Sequence, residues 1–169
     1  MRKLLALLLM LCALPAMSAE VRDPENHFFQ PKLGDFKAEL DTARAQGKKG
    51  IFVFFEMDAC PFCARMKATI LNQVDVQEAY SAQFLNFSVD VNGDVPMTDF
   101  LGRETTEKGF AFENRARATP TMVFFDLTGK PVARYIGPSK DKAEFMLLGR
   151  YVSSGAYAAG PFIKYKQAQ

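Results

Sequence analysis

The chain has 169 residues, with 21 Lys and Arg against 19 Asp and Glu. Two of the basic residues, Arg2 and Lys3, lie in an N-terminal stretch that we expect to be removed, so the basic and acidic residues that remain are balanced. This balance leaves no long-range basic field to attract nucleic acid, so we expect no nucleic-acid partner. The remaining chain of roughly 150 residues contains all 16 Phe, which predicts a single domain with one core.

The first residues predict export. Arg2 and Lys3 precede an unbroken apolar run over residues 4–14, which is followed by a proline and by small residues. This order is typical of a secretory signal peptide, here residues 1–19. The run is shorter than the about 20 residues that span a bilayer, so we expect no stable membrane insertion and a soluble periplasmic protein. Cys12 would be discarded with the signal peptide.

The two cysteines that remain, Cys60 and Cys63, are too few for a disulfide scaffold, which would show several spaced pairs. A bridge between them would close a four-residue loop, and by the chain-entropy estimate it would contribute only about 2 kcal/mol. The pair is therefore better suited to react than to stabilise the fold.

Before the domain, residues 20–32 are polar and contain two prolines, which predicts an extended N-terminal arm. From Leu33 to Ala43 apolar residues recur at helical spacing, and Gly47 then ends the pattern. This is the first predicted helix of a domain over residues 33–157.

A central strand and an active-site helix follow. Residues 50–57 form a nearly continuous apolar run, as expected of a strand that is covered on both faces. Pro61 suits the first turn of a helix, so we expect Cys60 at its exposed tip and Cys63 facing inward. The predicted inward face of this helix comprises Cys63, Met66 and Ile70.

Further along the chain, residues 74–84 predict a second helix or turn and residues 85–91 a strand. Residues 92–103 contain two glycines and a proline, which predicts an inserted surface loop. A helix is expected over residues 106–117.

The last third of the chain predicts a hairpin of two strands, residues 121–127 and 131–136, joined by a Thr-Gly-Lys turn. Ser139 is a candidate cap for a final helix. Residues 158–169 are expected to form a loosely held C-terminal tail.

This order of elements resembles the thioredoxin fold, an α/β fold in which helices flank a central mixed β-sheet. The inserted loop would precede the Thr119-Pro120 element. The motifs over residues 55–63 and 98–103, together with Thr119-Pro120-Thr121, are similar to those of periplasmic SoxW-type thioredoxins and of the C-terminal domain of the DsbD reductase.

The chemistry that we expect is thiol–disulfide exchange. A cysteine at a helix N-terminus lies against unpaired N–H groups and the positive end of the helix dipole, which favours its thiolate. Cys60 would attack a substrate disulfide, and Cys63 would resolve the mixed disulfide. Pro61 and Phe62, between the two cysteines, would tune the redox potential.

The resemblance implies a cis peptide bond between Thr119 and Pro120, beside the cysteine pair. Thr119 would then pair with an extended substrate as an added strand. From the residues alone, an ordinary proline at the start of a strand is the alternative.

The sequence departs from the family pattern before the active site. Phe54 occupies the position of the buried acid of thioredoxins, and Ala59 that of their tryptophan. Glu56 shares a strand face with Phe54 and would substitute in part as the proton acceptor for Cys63. A solvated glutamate at the end of the strand is the alternative.

The direction of electron flow is predicted from the dipeptide Pro61-Phe62. It lacks the histidine of strong oxidants, so we expect a potential nearer to about −270 mV than to about −120 mV. The protein would reduce protein disulfides and be recharged by a membrane electron donor of the DsbD or CcdA type. The alternatives are a disulfide-introducing oxidase, a Cu(I) carrier that uses the cysteine pair with Met57 and Met66, and a binding module with an inert bridge.

No cofactor or resident metal is expected. His27 is the only histidine, which leaves too few ligands for a histidine-rich zinc site. The sequence contains neither a Walker phosphate loop nor a G-x-G-x-x-G fingerprint, so no nucleotide is implied.

Overall fold

The computed structural model describes residues 20–31 and 34–169. The predicted signal peptide and the predicted first residue of the domain, Leu33, lie outside the described residues. Within the described ranges, no helix combines the length and the apolar character needed to cross a membrane.

A four-stranded mixed sheet forms the centre of the fold, as predicted. Its strands are β1 (Gly50–Glu56), β2 (Phe84–Asp90), β5 (Thr121–Phe125) and β6 (Pro131–Ile136). They lie in the order β2-β1-β5-β6, with β1 parallel to β2 and the other two pairs antiparallel. The first six residues of β1 are buried, because the apolar run contacts helices on both faces of the sheet.

Seven α-helices surround the sheet in the described chain: α1 (Pro24–His27), α2 (Phe36–Ala45), α3 (Pro61–Met66), α4 (Val74–Gln83), α5 (Glu107–Glu113), α6 (Lys142–Ser153) and α7 (Phe162–Gln167). A π-helical segment, Lys67–Leu71, continues directly from α3. Successive residues of β1 point to opposite faces of the sheet. Phe52 and Phe54 therefore pack with α3, α4 and α6 on what we call the active-site face, whereas Val53 and Phe55 pack with α2 and α5 on the distal face.

The N-terminal arm is more structured than predicted. Asp23 caps the short helix α1 by accepting a hydrogen bond from the amide of Glu25. Phe28 and Phe29 follow this helix and are buried in the core of the active-site face. The prediction of an extended arm was wrong because it gave too little weight to these two aromatic residues within a largely polar segment. Burying their apolar surface stabilises the ordered segment.

The prediction of a surface loop over residues 92–103 was also wrong in part. It contains β3 (Pro96–Thr98), which pairs antiparallel with β4 (Glu104–Thr106). Met97 and Phe100 from this segment are buried in the distal core. Thr106 caps α5, which ends at Glu113 rather than at residue 117.

Two expectations for the C-terminal region were wrong. Asp141, rather than Ser139, caps α6 by accepting the amide hydrogen of Glu144 at 2.9 Å. The tail expected to be loosely held forms α7, whose Phe162 packs against Tyr135 and Tyr151. An ion pair between Lys166 and Glu144 ties the same helix to the start of α6. The other ring of α7 that packs against the core is Tyr165.

Candidate active site

The cysteine pair lies where β1 gives way to α3. Cys60 and Cys63 form a disulfide with their Cα atoms 5.3 Å apart. Cys60 is the N-cap of α3, and its Sγ accepts a hydrogen bond from the Cys63 amide at 3.1 Å. Cys63 is buried, as expected, but so is Cys60, which is only 4% exposed. The prediction that Cys60 lies at an exposed helix tip is therefore wrong for the disulfide form, in which this residue is recessed.

The local sequence explains this position. Strand β1 ends at Glu56, and the chain turns so that the Cys60 amide donates to the Met57 carbonyl at 3.1 Å. Pro61 starts the helix, where an amide hydrogen is not needed. Phe62 is 52% exposed beside the disulfide, and the Arg65 guanidinium lies over its ring at 5.7 Å. The rim of the cysteine pair thus carries an exposed aromatic side chain.

The Thr119-Pro120 element lies at the same end of the sheet. The peptide bond between the two residues is cis. The residue after Pro120, Thr121, pairs with Phe55 of β1, next to the strand end from which the chain turns toward Cys60. The Pro120 carbonyl accepts a hydrogen bond from the Gly137 amide at 2.8 Å, which fixes the start of β5 against the end of β6.

Glu56 and the cysteines line one cavity of about 500 Å³. Phe54, at the position of the family's buried acid, is buried in the core and contacts Phe29. The Glu56 side chain, by contrast, is only 15% exposed, and it accepts hydrogen bonds from Lys67 Nζ at 2.7 Å and from the Ser88 hydroxyl. Glu56 is therefore ion-paired with Lys67, and it lines the same cavity as Cys63.

Lys67 was not recognised from the sequence as part of the site. Its Nζ lies 2.6 Å from Glu25 and 2.7 Å from Glu56. Burial lowers the pKa of Lys67, but hydrogen bonds to both carboxylates and their negative charges outweigh burial, so the pKa is raised. The spacing of four residues from Cys63 was the available signal, since side chains four apart share a helix face. No spacing in the sequence indicated that Glu25 would reach Lys67, because the two residues are far apart in the chain.

Of the two methionines considered for copper, Met66 is buried in the core, whereas Met57 is 37% exposed at the cavity. Among the residues that the structure describes, no group of three or more His, Cys, Asp or Glu side chains is arranged to hold a metal ion.

A family model described as a thioredoxin-like domain matches residues 36–153. The chain belongs to this thioredoxin-like family. The match covers the sheet, the cysteine pair and the Thr119-Pro120 element, and it leaves out the N-terminal segment and α7. A search among curated proteins finds no match.

Solved structures agree with the thioredoxin-like fold. A thioredoxin from Thermus thermophilus is 27% identical over 70% of this chain and 83% of its own, with a TM-score of 0.55. A thioredoxin-fold protein from Helicobacter pylori is 20% identical over 72% of this chain and 86% of its own, with a TM-score of 0.58. The DsbD C-terminal domain of Neisseria meningitidis is 21% identical over 68% and 91%, with a TM-score of 0.50. The narrower resemblance to SoxW-type thioredoxins stays a prediction.

Membership of the thioredoxin-like family and a Cys-x-x-Cys disulfide at the start of a helix together identify a thiol–disulfide oxidoreductase. The reaction is an exchange of disulfide bonds, and it needs a nucleophilic thiolate and a second thiol close enough to resolve the intermediate. The oxidised pair satisfies the second requirement, because its two sulfur atoms are already bonded.

Proposed function

We propose that this protein is a periplasmic reductant of protein disulfides. The observation that carries the exchange chemistry in this proposal is the position of Cys60 as the N-cap of α3, with its sulfur accepting the Cys63 amide hydrogen. A sulfur held in this way is stabilised when it carries the negative charge of a thiolate. Export rests on the predicted signal peptide.

In the proposed reaction, the Cys60 thiolate attacks one sulfur of a substrate disulfide, and the other substrate sulfur leaves as a thiolate that takes up a proton. Cys63 then loses its proton and attacks Cys60, which releases the second substrate thiol. The substrate disulfide gains two electrons, and the cysteine pair becomes a disulfide. A membrane donor of the DsbD or CcdA type would then reduce the pair again.

Glu56 is our proposed acceptor for the Cys63 proton, because both residues line the same cavity. The hydrogen bonds that Glu56 receives from Lys67 and Ser88 stabilise its carboxylate. Two donors therefore already occupy the Glu56 carboxylate. We expect it to serve this role only in part.

Substrates would bind across the rim that Thr119 and Pro120 form. Phe62 and Ile136 are both large apolar side chains with more than half of their surface exposed, at 52% and 62%. Ile136 pairs with Thr121 at the start of β5, so it lies close to Pro120. An extended peptide that pairs with Thr119 would cover apolar surface on either side of its own cysteine.

The choice of a reductant over an oxidase is supported by the dipeptide Pro61-Phe62, which places no histidine charge beside Cys60. Equilibration of the purified protein with glutathione buffers tests this choice. We expect a potential well below about −150 mV; a higher value would exclude the reductant and favour the oxidase. The wild-type protein should also catalyse the reduction of insulin. Absence of this activity would contradict the assignment of a thiol–disulfide oxidoreductase.

A further inference from the structure

Part of the active-site cavity is built by a segment that lies outside the family match. The match begins at residue 36, yet Glu25, Phe29 and Gln30 line the same cavity as the cysteine pair. This N-terminal segment is anchored by the buried rings of Phe28 and Phe29 and by a hydrogen bond from the Gln30 amide to the Asn86 carbonyl at 2.7 Å. Its Glu25 is therefore held near the site.

The contact between this segment and the site passes through Lys67. The ammonium group of Lys67 bridges Glu25 and Glu56, and it also lies 5.7 Å from the centre of the Phe29 ring. We call these three charged residues the Glu25–Lys67–Glu56 network. With both carboxylates ionised and the lysine protonated, the network carries one net negative charge beside the disulfide.

We propose that Glu25 and Lys67 tune the redox potential of the cysteine pair in opposite directions, through the net charge of the Glu25–Lys67–Glu56 network. This inference rests on the proposed function, and it adds Glu25, a residue of the N-terminal segment, to the active site.

The direction of the effect follows from the charges of the two redox states. The disulfide is neutral, whereas the reduced pair carries a negative charge once Cys60 is the thiolate that the proposed reaction needs. Nearby negative charge disfavours the thiolate and so favours the disulfide, which makes the protein a stronger reductant. Lys67 limits this effect, and Glu25 strengthens it. The other charged side chains that line the described cavity are Asp58 and Asp90, both acidic.

Opposite changes of potential are therefore expected from two substitutions. Glu25→Gln brings the net charge of the network to zero, so the equilibrium with dithiothreitol should shift about threefold toward the reduced pair, a less negative potential by about 14 mV. Lys67→Gln leaves two negative charges, so the shift should be of similar size toward the disulfide. The pH midpoint for alkylation of Cys60 by iodoacetamide should fall in the first variant and rise in the second.

The chain offers two matched controls. Glu20→Gln makes the same change of charge in the same segment, but Glu20 is 69% exposed, pairs with Arg22 and does not line the cavity. It should leave both readouts unchanged. Lys67→Arg keeps the positive charge and should retain the wild-type potential. Because the Glu25 side chain is 53% exposed, Glu25→Gln should fold normally even if Lys67→Gln does not.

Salt gives a further check, because screening weakens interactions between exposed charges. The difference between Glu25→Gln and wild type should shrink at 1 M salt. Equal potentials and equal alkylation midpoints for wild type and Glu25→Gln at low salt would overturn this inference, while insulin reduction by both would leave the proposed function intact. Loss of insulin reduction in the wild type would instead overturn the proposed function.

Discussion

The two faces of the central sheet differ in the side chains that β1 and β2 place on them. On the active-site face, β2 contributes Phe84, Asn86 and Ser88, and β1 ends in Glu56. On the distal face, the same two strands contribute only apolar side chains, and the core is a cluster of aromatic rings around Phe110. The active-site face thus combines an apolar core with the polar and reactive residues of the site, whereas the side chains that β1 and β2 place on the distal face only pack.

The largest expected effect lies on the active-site face. Cys60→Ser should abolish insulin reduction, because no nucleophilic sulfur remains at the helix N-terminus. Cys63→Ser should retain the attack but not the resolution, so it should accumulate mixed disulfides with substrate proteins that dithiothreitol releases. Non-reducing gel electrophoresis measures the trapped species. Equal trapping by Cys60→Ser would contradict the assignment of the nucleophile.

A large effect of another kind is expected on the distal face. Phe110 is fully buried and contacts the rings of Phe36, Phe55 and Phe125. Phe110→Ala should lower the free energy of unfolding by about 3–5 kcal/mol through the lost burial and the cavity left behind. Urea denaturation of the oxidised protein measures this loss.

The control for that experiment lies two residues away on the same helix. Phe112 is 69% exposed, so Phe112→Ala should change stability by no more than about 0.5 kcal/mol. The redox potential of folded Phe110→Ala should equal that of the wild type. A shift in potential would show that the two faces are not separable.

A pH-dependent effect of intermediate size should also map to the distal face. Burial raises the pKa of Asp99, but hydrogen bonds from Arg103 and Leu101 and the charge of Arg103 lower it more, so the net pKa is lowered. A carboxyl group with a lowered pKa stabilises the fold above its unfolded-state pKa, and this contribution is lost as the pH falls through the folded-state pKa.

Asp99→Asn should therefore cost about 2 kcal/mol at pH 7, and the difference from wild type should narrow toward pH 3. Urea denaturation at both pH values measures it, with the exposed Asp94→Asn as the control. A difference that is the same at both pH values would contradict an ionic role for Asp99.

The smallest expected effect distinguishes two residues at the start of α6. Asp141→Ala removes the observed cap and should cost about 1 kcal/mol. Ser139→Ala should be close to neutral, since the Ser139 hydroxyl is buried and has no hydrogen-bond partner among the described residues. Thermal denaturation of the two variants in parallel is sufficient. A larger loss of stability for Ser139→Ala than for Asp141→Ala would instead support Ser139 as the cap of α6.

Local patterns were sufficient for much of the fold. The apolar run of β1, the proline after Cys60 and the turn between β5 and β6 each mark an element by residue type and spacing alone. The predictions failed where distant contacts decided the conformation. Met97 and Phe100 fold what was predicted as a loop onto the distal core, and Phe28 and Phe29 do the same for the N-terminal segment on the other face.

The sequence by itself determined the family, the order of the main elements and the cysteine pair, because these depend on spacing within a few residues. Only the tertiary structure brought Glu25, Lys67 and Ser88 together around Glu56, since those residues come from separate elements. It also recessed Cys60 and folded α7 against α6. Contacts of this kind form when remote segments bury apolar surface together, and no local pattern encodes which segments will meet.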